Sequence, residues 1–427
     1  MKTFLLSQSP RFSVLLVIPL LSLLISTGFS SPSLAQAQRS YEGSTYTLSD
    51  LLQLSKAGNL GLQGARAQQL ATQAGSQIAR AYPNPEVEWL RNQRQASGST
   101  IPGNGQTMSV LQPIENPWLR SARIDSADAR AELGQQLYRQ TEIATLSDVK
   151  IYFYEVLRRQ EELRANREDT ILAEQIRDRI KVRVQTGEGA RFDLVRAEAE
   201  VAVAQNQVRT TELRLNQAKT RLRIAVGPAL SDQYEISGEL DAPLQSQDMQ
   251  SLRSALLNQS PELRAAQAAI TAAARNADAE RHSLLPKVGV RLARETEPEL
   301  RTNQIGLVIG IPLFDQRRGQ VAEANANASR TRFEAEQRRF ALEQTFAAAW
   351  QQYLSTQAQV QVLETGIVNN AKRAVEIAEA AYRFGERGIL EYLDAQRTYR
   401  SVRNELIAAR YNVQLAKIEL ERLAGRE

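Results

Sequence analysis

The chain has 427 residues, 42% hydrophobic and 24% charged, with no cysteine and a formal charge of +5. Without cysteine it forms no disulfide and carries no acylated N-terminal cysteine, and its single histidine, His282, leaves no Ser-His-Asp, Cys-His or zinc constellation to assemble. The charge surplus is small and evenly spread, which gives no basis for nucleic-acid binding.

At the N-terminus, Lys2 and Arg11, the apolar run Val14–Ile25 and the small residues ending Ala35-Gln36-Ala37 predict a secretory signal peptide over residues 1–37. The run is broken by Pro19 and is too short for the ~20 residues of a membrane-spanning helix. Lys2 and Arg11 leave with it, and the segment holds no acid, so the formal charge falls from +5 to +3. No later segment resembles a spanning helix, so any membrane insertion of the mature chain must use strands.

A first repeat is expected over residues 38–227. It opens with a helix from Tyr46 to Tyr82, stopped by Pro83-Asn84-Pro85. Candidate strands Val87–Asn92 and Thr107–Pro113 flank a polar loop over 93–106, and Pro113 is expected to close the second strand. The stretch from Trp118 to Gly227 holds no proline and predicts a helical hairpin. Its outgoing helix, Trp118–Thr186, would be ~100 Å long at 1.5 Å per residue. Its returning helix, Arg191–Val226, is about half that length. A linker over 228–247 contains a candidate minor strand, Gln233–Ile236.

The second repeat, residues 248–427, follows the same order. A helix over Asp248–Leu285 ends before Pro286. Strands follow at Lys287–Arg294 and Ile305–Ile311, with a loop over 295–304 between them and Pro312 after. Their period-two alternation suits a membrane barrel strand and equally any half-buried strand. The proline-free stretch from Leu313 to Glu427 predicts a second long hairpin.

The hairpin turns identify the repeat most sharply. Thr-Gly-Glu-Gly-Ala-Arg-Phe-Asp-Leu-Val-Arg-Ala from Thr186 echoes Phe-Gly-Glu-Arg-Gly-Ile-Leu-Glu-Tyr-Leu-Asp-Ala from Phe384. Gly187 and Gly385, Asp193 and Glu391, Ala197 and Ala395, and Gly227 and Gly425 are each 198 residues apart. Heptad seams run through Phe346, Tyr353, Val360 and Ile367, and through Leu146, Val149, Phe153, Val156 and Leu163. The short N-terminal helix and the returning helix of each half, placed end to end, match the flank of the long helix, which suggests a tube of antiparallel helices.

With the repeat, the strand pairs and the export signal together, the chain resembles the TolC family of outer-membrane efflux proteins over roughly Tyr46 to Gly425. The resemblance is carried by Ala381-Tyr382-Arg383-Phe384-Gly385 through Leu393-Asp394-Ala395-Gln396 and its first-half echo. Ala81-Tyr82-Pro83-Asn84-Pro85-Glu86-Val87-Glu88 is similar to the heavy-metal efflux branch. The resemblance implies a mainly α homotrimer with a membrane β-barrel: a 12-stranded barrel in outer-membrane lipid continued by an α-helical periplasmic tunnel. It implies a passive channel of a tripartite efflux or type I secretion system, partnered by a periplasmic adaptor and an inner-membrane pump, with no cofactor. On residues alone, a periplasmic adaptor or a coiled-coil envelope scaffold stays open as the alternative, although an adaptor normally has one hairpin and this chain has two.

The family's site residues transfer to the periplasmic tip. Glu391 and Asp394, three apart on one helix face, would ring the narrow aperture. The competing explanation is that acids in a first turn suit the helix dipole, with Asp394 paired to Arg397. Asp193, Tyr382 and Arg387 would supply links that hold the aperture shut, Asp193 accepting a hydrogen bond from Tyr382 and Arg387 reaching a neighbouring helix. Phe192 departs from the small polar residue of some members. Gly187, Gly189, Gly385 and Gly388 would form adaptor-docking turns, or simply permit the tight reversals.

Overall fold

The computed structural model describes residues 45–94, 103–240, 248–297 and 299–426, so the expected signal peptide over 1–37 lies outside the described residues. Each half begins with two helices where the sequence suggested one. Helix α1 (Leu48–Gly58) and helix α2 (Leu60–Arg80) meet at Asn59, whose side chain accepts from Leu62 N at 3.0 Å and so caps α2. Thr47 caps α1 in a reciprocal box with Asp50. Tyr46 is not helical: β1 (Thr45–Tyr46) pairs in parallel with β4 (Glu235–Ile236), the core of the expected minor strand.

In the second half, α5 (Met249–Gln259) and α6 (Pro261–His282) are separated at Ser260. Pro261 has no N–H to donate, so a single helix from Asp248 cannot run through it, whereas the first position of α6 accepts it.

The long hairpins match the proline-free stretches closely. Helix α3 (Pro117–Gln185) has 69 residues, and α4 (Arg191–Val226) returns beside it. In the second half α7 (Arg318–Val362), a π-helical turn (Leu363–Ile367) and α8 (Val368–Arg383) form one continuous outgoing rod, and α9 (Ile389–Ala424) returns. Helix α2 and α4 both pack along α3, and α6 and α9 both pack along α7, so two short helices do share each long flank. The π turn explains one failed expectation. Phe346 and Tyr353 are buried as the heptad requires, but Ile367 is exposed, because it ends the π turn itself, whose wider winding carries it off the seam.

The breaks between the short helices are where the returning helices end. Gly227 closes α4 against Gly58 and Asn59, with Asn59 Nδ2 donating to Ala225 O at 2.7 Å. Gly425 closes α9 against Gln259 and Pro261 in the same manner. Around the first break lies a core of Leu51, Val149, Phe153, Leu222, Tyr234 and Tyr411. Around the second lies a core of Leu252, Leu256, Phe346, Tyr353 and Leu420.

The four main strands form one antiparallel sheet in the order β2-β3-β5-β6. Strand β2 is Glu86–Arg94, β3 is Gly103–Ile114, β5 is Lys287–Thr296 and β6 is Arg301–Gly310. The strands outrun most of their expected ends: β2 reaches Arg94, β3 begins at Gly103, and β5 and β6 leave only 297–300 of the loop expected over 295–304, while residues 95–102 lie outside the described residues. Pro113 sits inside β3, opposite Gly289, and does not close it.

The register is continuous, so directly paired residues share a face. One face carries Val87, Trp89, Met108, Val110, Ile114, Val288, Val290, Leu292, Ile305, Leu307 and Ile309. The opposite face carries Glu86, Glu88, Thr107, Ser109, Arg291, Glu295, Thr302 and Gln304 together with glycines and the apolar Leu90, Leu111 and Val308, so it is the more polar of the two. Ile305 is 83% exposed and Leu307 69%, so the apolar face is uncovered in the single chain.

Candidate functional site: the hairpin tips

Two helix reversals lie at the end of the chain remote from the sheet, α3 to α4 and α8 to α9, and they are built alike. Gly187 N donates to Val184 O, while Glu188 N and Gly189 N both donate to Arg183 O. Gly385 N donates to Tyr382 O, while Glu386 N and Arg387 N both donate to Ala381 O. Every donor and acceptor is displaced by the same 198 residues, so the sequence echo is an echo of hydrogen bonding. The left-handed residue that this closure needs is Gly187 at φ 80° and Gly385 at φ 78°. Gly189 and Gly388 do not share that conformation. Gly388 is the N-cap of α9 at φ −76°, in the place Ala190 takes before α4.

The two hairpins meet above these turns. Ile176, Ile180 and Ala197 of the first hairpin pack against Ile389, Tyr392 and Leu393 of the second. Tyr382 lies half-buried against this cluster, stacked on Tyr392 with ring centroids 6.2 Å apart and planes 11° from parallel. The Arg183 guanidinium covers the Tyr382 ring from the first hairpin at 5.4 Å. Burial pushes the Tyr392 hydroxyl above the usual tyrosine range, and Gln396 Nε2 donates to it at 3.4 Å.

The expected aperture residues stand free of these contacts. Glu391 and Asp394 are both exposed, in the first turns of α9. Asp394 does not take Arg397: that guanidinium crosses to Glu200 on α4, leaving the Asp394 carboxylate unneutralised by it. Within the chain Tyr382 and Asp193 are not hydrogen-bonded to each other, because the Tyr382 ring is held flat against Tyr392. Among the described residues, the exposed Arg387 side chain has no ion-pair partner.

Sequence reasoning missed a ladder of charged contacts between the hairpins. Arg179 pairs with Glu379 at 3.4 Å, Arg397 with Glu200, and Asp169 takes both Arg403 at 2.6 Å and Arg400 at 3.7 Å. Their partners lie about two hundred residues apart in sequence, so no local spacing announces them. Among the described residues, no group of three or more His, Cys, Asp or Glu side chains is arranged to hold a metal ion, and no helix is long and apolar enough to cross a membrane.

Residues 51–228 and 252–426 match the sequence pattern of the outer membrane efflux protein family. The chain is 27% identical over 382 residues to the cobalt-zinc-cadmium resistance protein CzcC of Cupriavidus metallidurans, covering 89% of this chain and 90% of that one. It is 26% identical to the pyoverdine export outer membrane protein OpmQ of Pseudomonas putida, covering 93% of this chain and 91% of that protein. Its fold is similar to the crystal structure of CusC, with a TM-score of 0.79 at 18% identity, covering 89% and 92% of the two chains. It is also similar to the open-state MtrE channel of Neisseria gonorrhoeae, with a TM-score of 0.77 at 15% identity, covering 89% of each chain.

Proposed function

The chain belongs to the outer membrane efflux protein family, and we propose that it works as a homotrimeric, passive duct whose periplasmic tips form a gated aperture. It is an outer-membrane efflux protein and not an enzyme. The observation that carries the trimer is the sheet. Four strands end in two unpaired edges, β2 and β6, and present one apolar face that water does not favour. Unpaired strand edges are not stable in lipid, so the sheet must close through copies of itself. Three copies make a 12-stranded barrel with the apolar face to the lipid and the polar face to the lumen.

In this arrangement residues 1–37 are the export signal, 38–227 and 248–427 the two repeats, and 228–247 the linker. The helices continue the barrel as a periplasmic tunnel. An inner-membrane pump supplies the energy, and a periplasmic adaptor docks on the turns around Gly187, Gly189, Gly385 and Gly388. The relatives named above serve both metal resistance and pyoverdine export, and the absence of a metal-holding cluster among the described residues fits a duct whose cargo is chosen by its partners.

At the aperture, Glu391 and Asp394 of three chains give six carboxylates on a narrow ring, which favours cations. In planar bilayers, Glu391→Gln with Asp394→Asn is expected to reduce the cation-over-anion permeability ratio by about tenfold, roughly the weight of 1–1.5 kcal/mol. An unchanged ratio would remove both residues from the aperture.

Arg387, without an ion-pair partner among the described residues, reaches a neighbouring subunit in the closed trimer, where Asp193 supplies an acceptor, while the Tyr382–Tyr392 stack holds α8 against α9 at the tip. Tyr382→Ala with Arg387→Ala is expected to raise resting conductance several-fold, since links of this kind are worth on the order of 1 kcal/mol each. Resting conductance equal to that of the unsubstituted protein would show that these links do not close the tip.

A further inference from the structure

We infer that the barrel wall carries a built contact for lipid headgroups that bear a phosphate monoester, formed by Arg91, Arg294 and Arg301 at the loop end of its apolar face. The inference rests on the barrel of the preceding section, and it goes beyond closure to name what the rim binds.

The cross-strand register places these side chains. Val87, Val110, Leu292 and Ile305 form one row across all four strands. The next row toward the loops is Trp89, Met108, Arg294 and Asn303. The row beyond is Arg91, Gln106, Thr296 and Arg301. The apolar face therefore ends in an aromatic and an arginine on one row and two arginines on the next, the order of an apolar band giving way to headgroups.

Three further observations separate this rim from an ordinary solvated edge. The described strand residues of this face include no Asp or Glu, whereas Glu86, Glu88 and Glu295 all lie on the opposite face; the acid beside the rim is Glu297, past the end of β5, which lines one recess with Trp89 and Arg91. All three residues are exposed, and Arg294 is oriented by its Nε donating to Asn303 Oδ1 at 2.9 Å. Arg294 and Arg301 are diagonal neighbours on paired strands, and Arg91 and Arg301 sit on the two edge strands, where closure brings copies of the chain together. Like charges crowded at an apolar boundary are repulsive until an anion lies between them, and guanidinium forks match phosphate oxygens bidentately. The occupant that reaches this height with its tails along the apolar band is a lipid whose headgroup carries a phosphate monoester.

The test uses the full chain, extracted in detergent and shown to be trimeric, titrated with phosphatidic acid or phosphatidylcholine and read by native mass spectrometry. The triple variant Arg91→Gln, Arg294→Gln, Arg301→Gln should bind phosphatidic acid on the order of a hundredfold more weakly, and the single variant Arg294→Gln several-fold more weakly. Phosphatidylcholine should bind all forms alike. Arg291→Gln removes the same charge from the opposite face of β5 and should leave binding unchanged. Equal binding of phosphatidic acid by the unsubstituted and triple-variant trimers would overturn the inference, as would an equal loss in Arg291→Gln. Full competition by millimolar inorganic phosphate would overturn it in favour of a free-phosphate site. A chain that forms no trimer would fail the barrel itself, and the lipid contact with it, which is a different result from a trimer that ignores the lipid.

Discussion

Replacing Gly227 by alanine is expected to destabilise the folded chain by about 2–5 kcal/mol, combining backbone strain with a steric clash. Gly227 stands at φ 104° and ψ −179°, a region essentially closed to residues with a Cβ. An added Cβ would lie 2.8 Å from Gly58 O and 3.0 Å from Asn59 Cα, and backbone atoms cannot swing aside as a flexible side chain can. The strain also acts where it matters for the architecture. Asn59 divides α1 from α2 and binds Ala225 O just before Gly227, so pushing this junction apart loosens the fit of the short helices along α3. Gly187→Ala is the matched control. Its φ of 80° is also left-handed, but nothing lies within 4 Å of the added Cβ, and a cost of about 1–2 kcal/mol is expected from strain alone. Thermal unfolding followed by tryptophan fluorescence should rank Gly227→Ala well below Gly187→Ala. Equal midpoints would mean that the junction yields without cost.

Asp169→Asn should cost about 2–4 kcal/mol, toward the buried-pair range, because it leaves two largely buried guanidiniums without their carboxylate. Asp169 on α3 receives Arg403 Nη2 at 2.6 Å and Arg400 Nε at 3.7 Å from α9, with side chains only 11%, 16% and 17% exposed respectively. Arg403 Nη2 also donates to Ala165 O at 3.3 Å. This contact fixes the spacing of the two hairpins above the tip cluster, so its loss should loosen the tip as well as lower stability. The comparison is Glu212→Gln, which breaks the pair with Arg167 on the same helix α3, with side chains 59% and 44% exposed, for which at most about 1 kcal/mol is expected. The two variants should be unfolded under one condition; a cost for Asp169→Asn no larger than for Glu212→Gln would show that Asp169 is not a fixed point between the hairpins.

Much of this fold can be read from where proline and glycine stand. Helix α4 begins and ends at the expected residues, and α3 is displaced by one, because glycine-containing turns and proline-free stretches leave no other boundary. The breaks at Asn59 and Ser260 were harder to see for different reasons. Pro261 marks the second openly, but the first has no proline and depends on Gly227, 168 residues away, pressing against it. Strand ends were underestimated because Gly103, Asn104, Gly105 and Gln106 look like loop residues when considered one at a time. Their pairing with β2 makes them strand, and a sheet with one polar face tolerates them there.

At the tips, the repeat exposed Gly187 and Gly385, while Gly189 and Gly388 shared only their composition. The stacking of Tyr382 on Tyr392 and the Arg397–Glu200 pair join different helices, and no spacing in the sequence encodes them.

The central claim is that this open, four-stranded sheet closes only through copies of the same chain. Electron microscopy of the detergent-extracted protein tests it most directly. Threefold tubes about 140 Å long are expected, from a ~100 Å helical section and a ~40 Å barrel spanning the bilayer. Monomeric particles, or compact particles released without detergent, would contradict it.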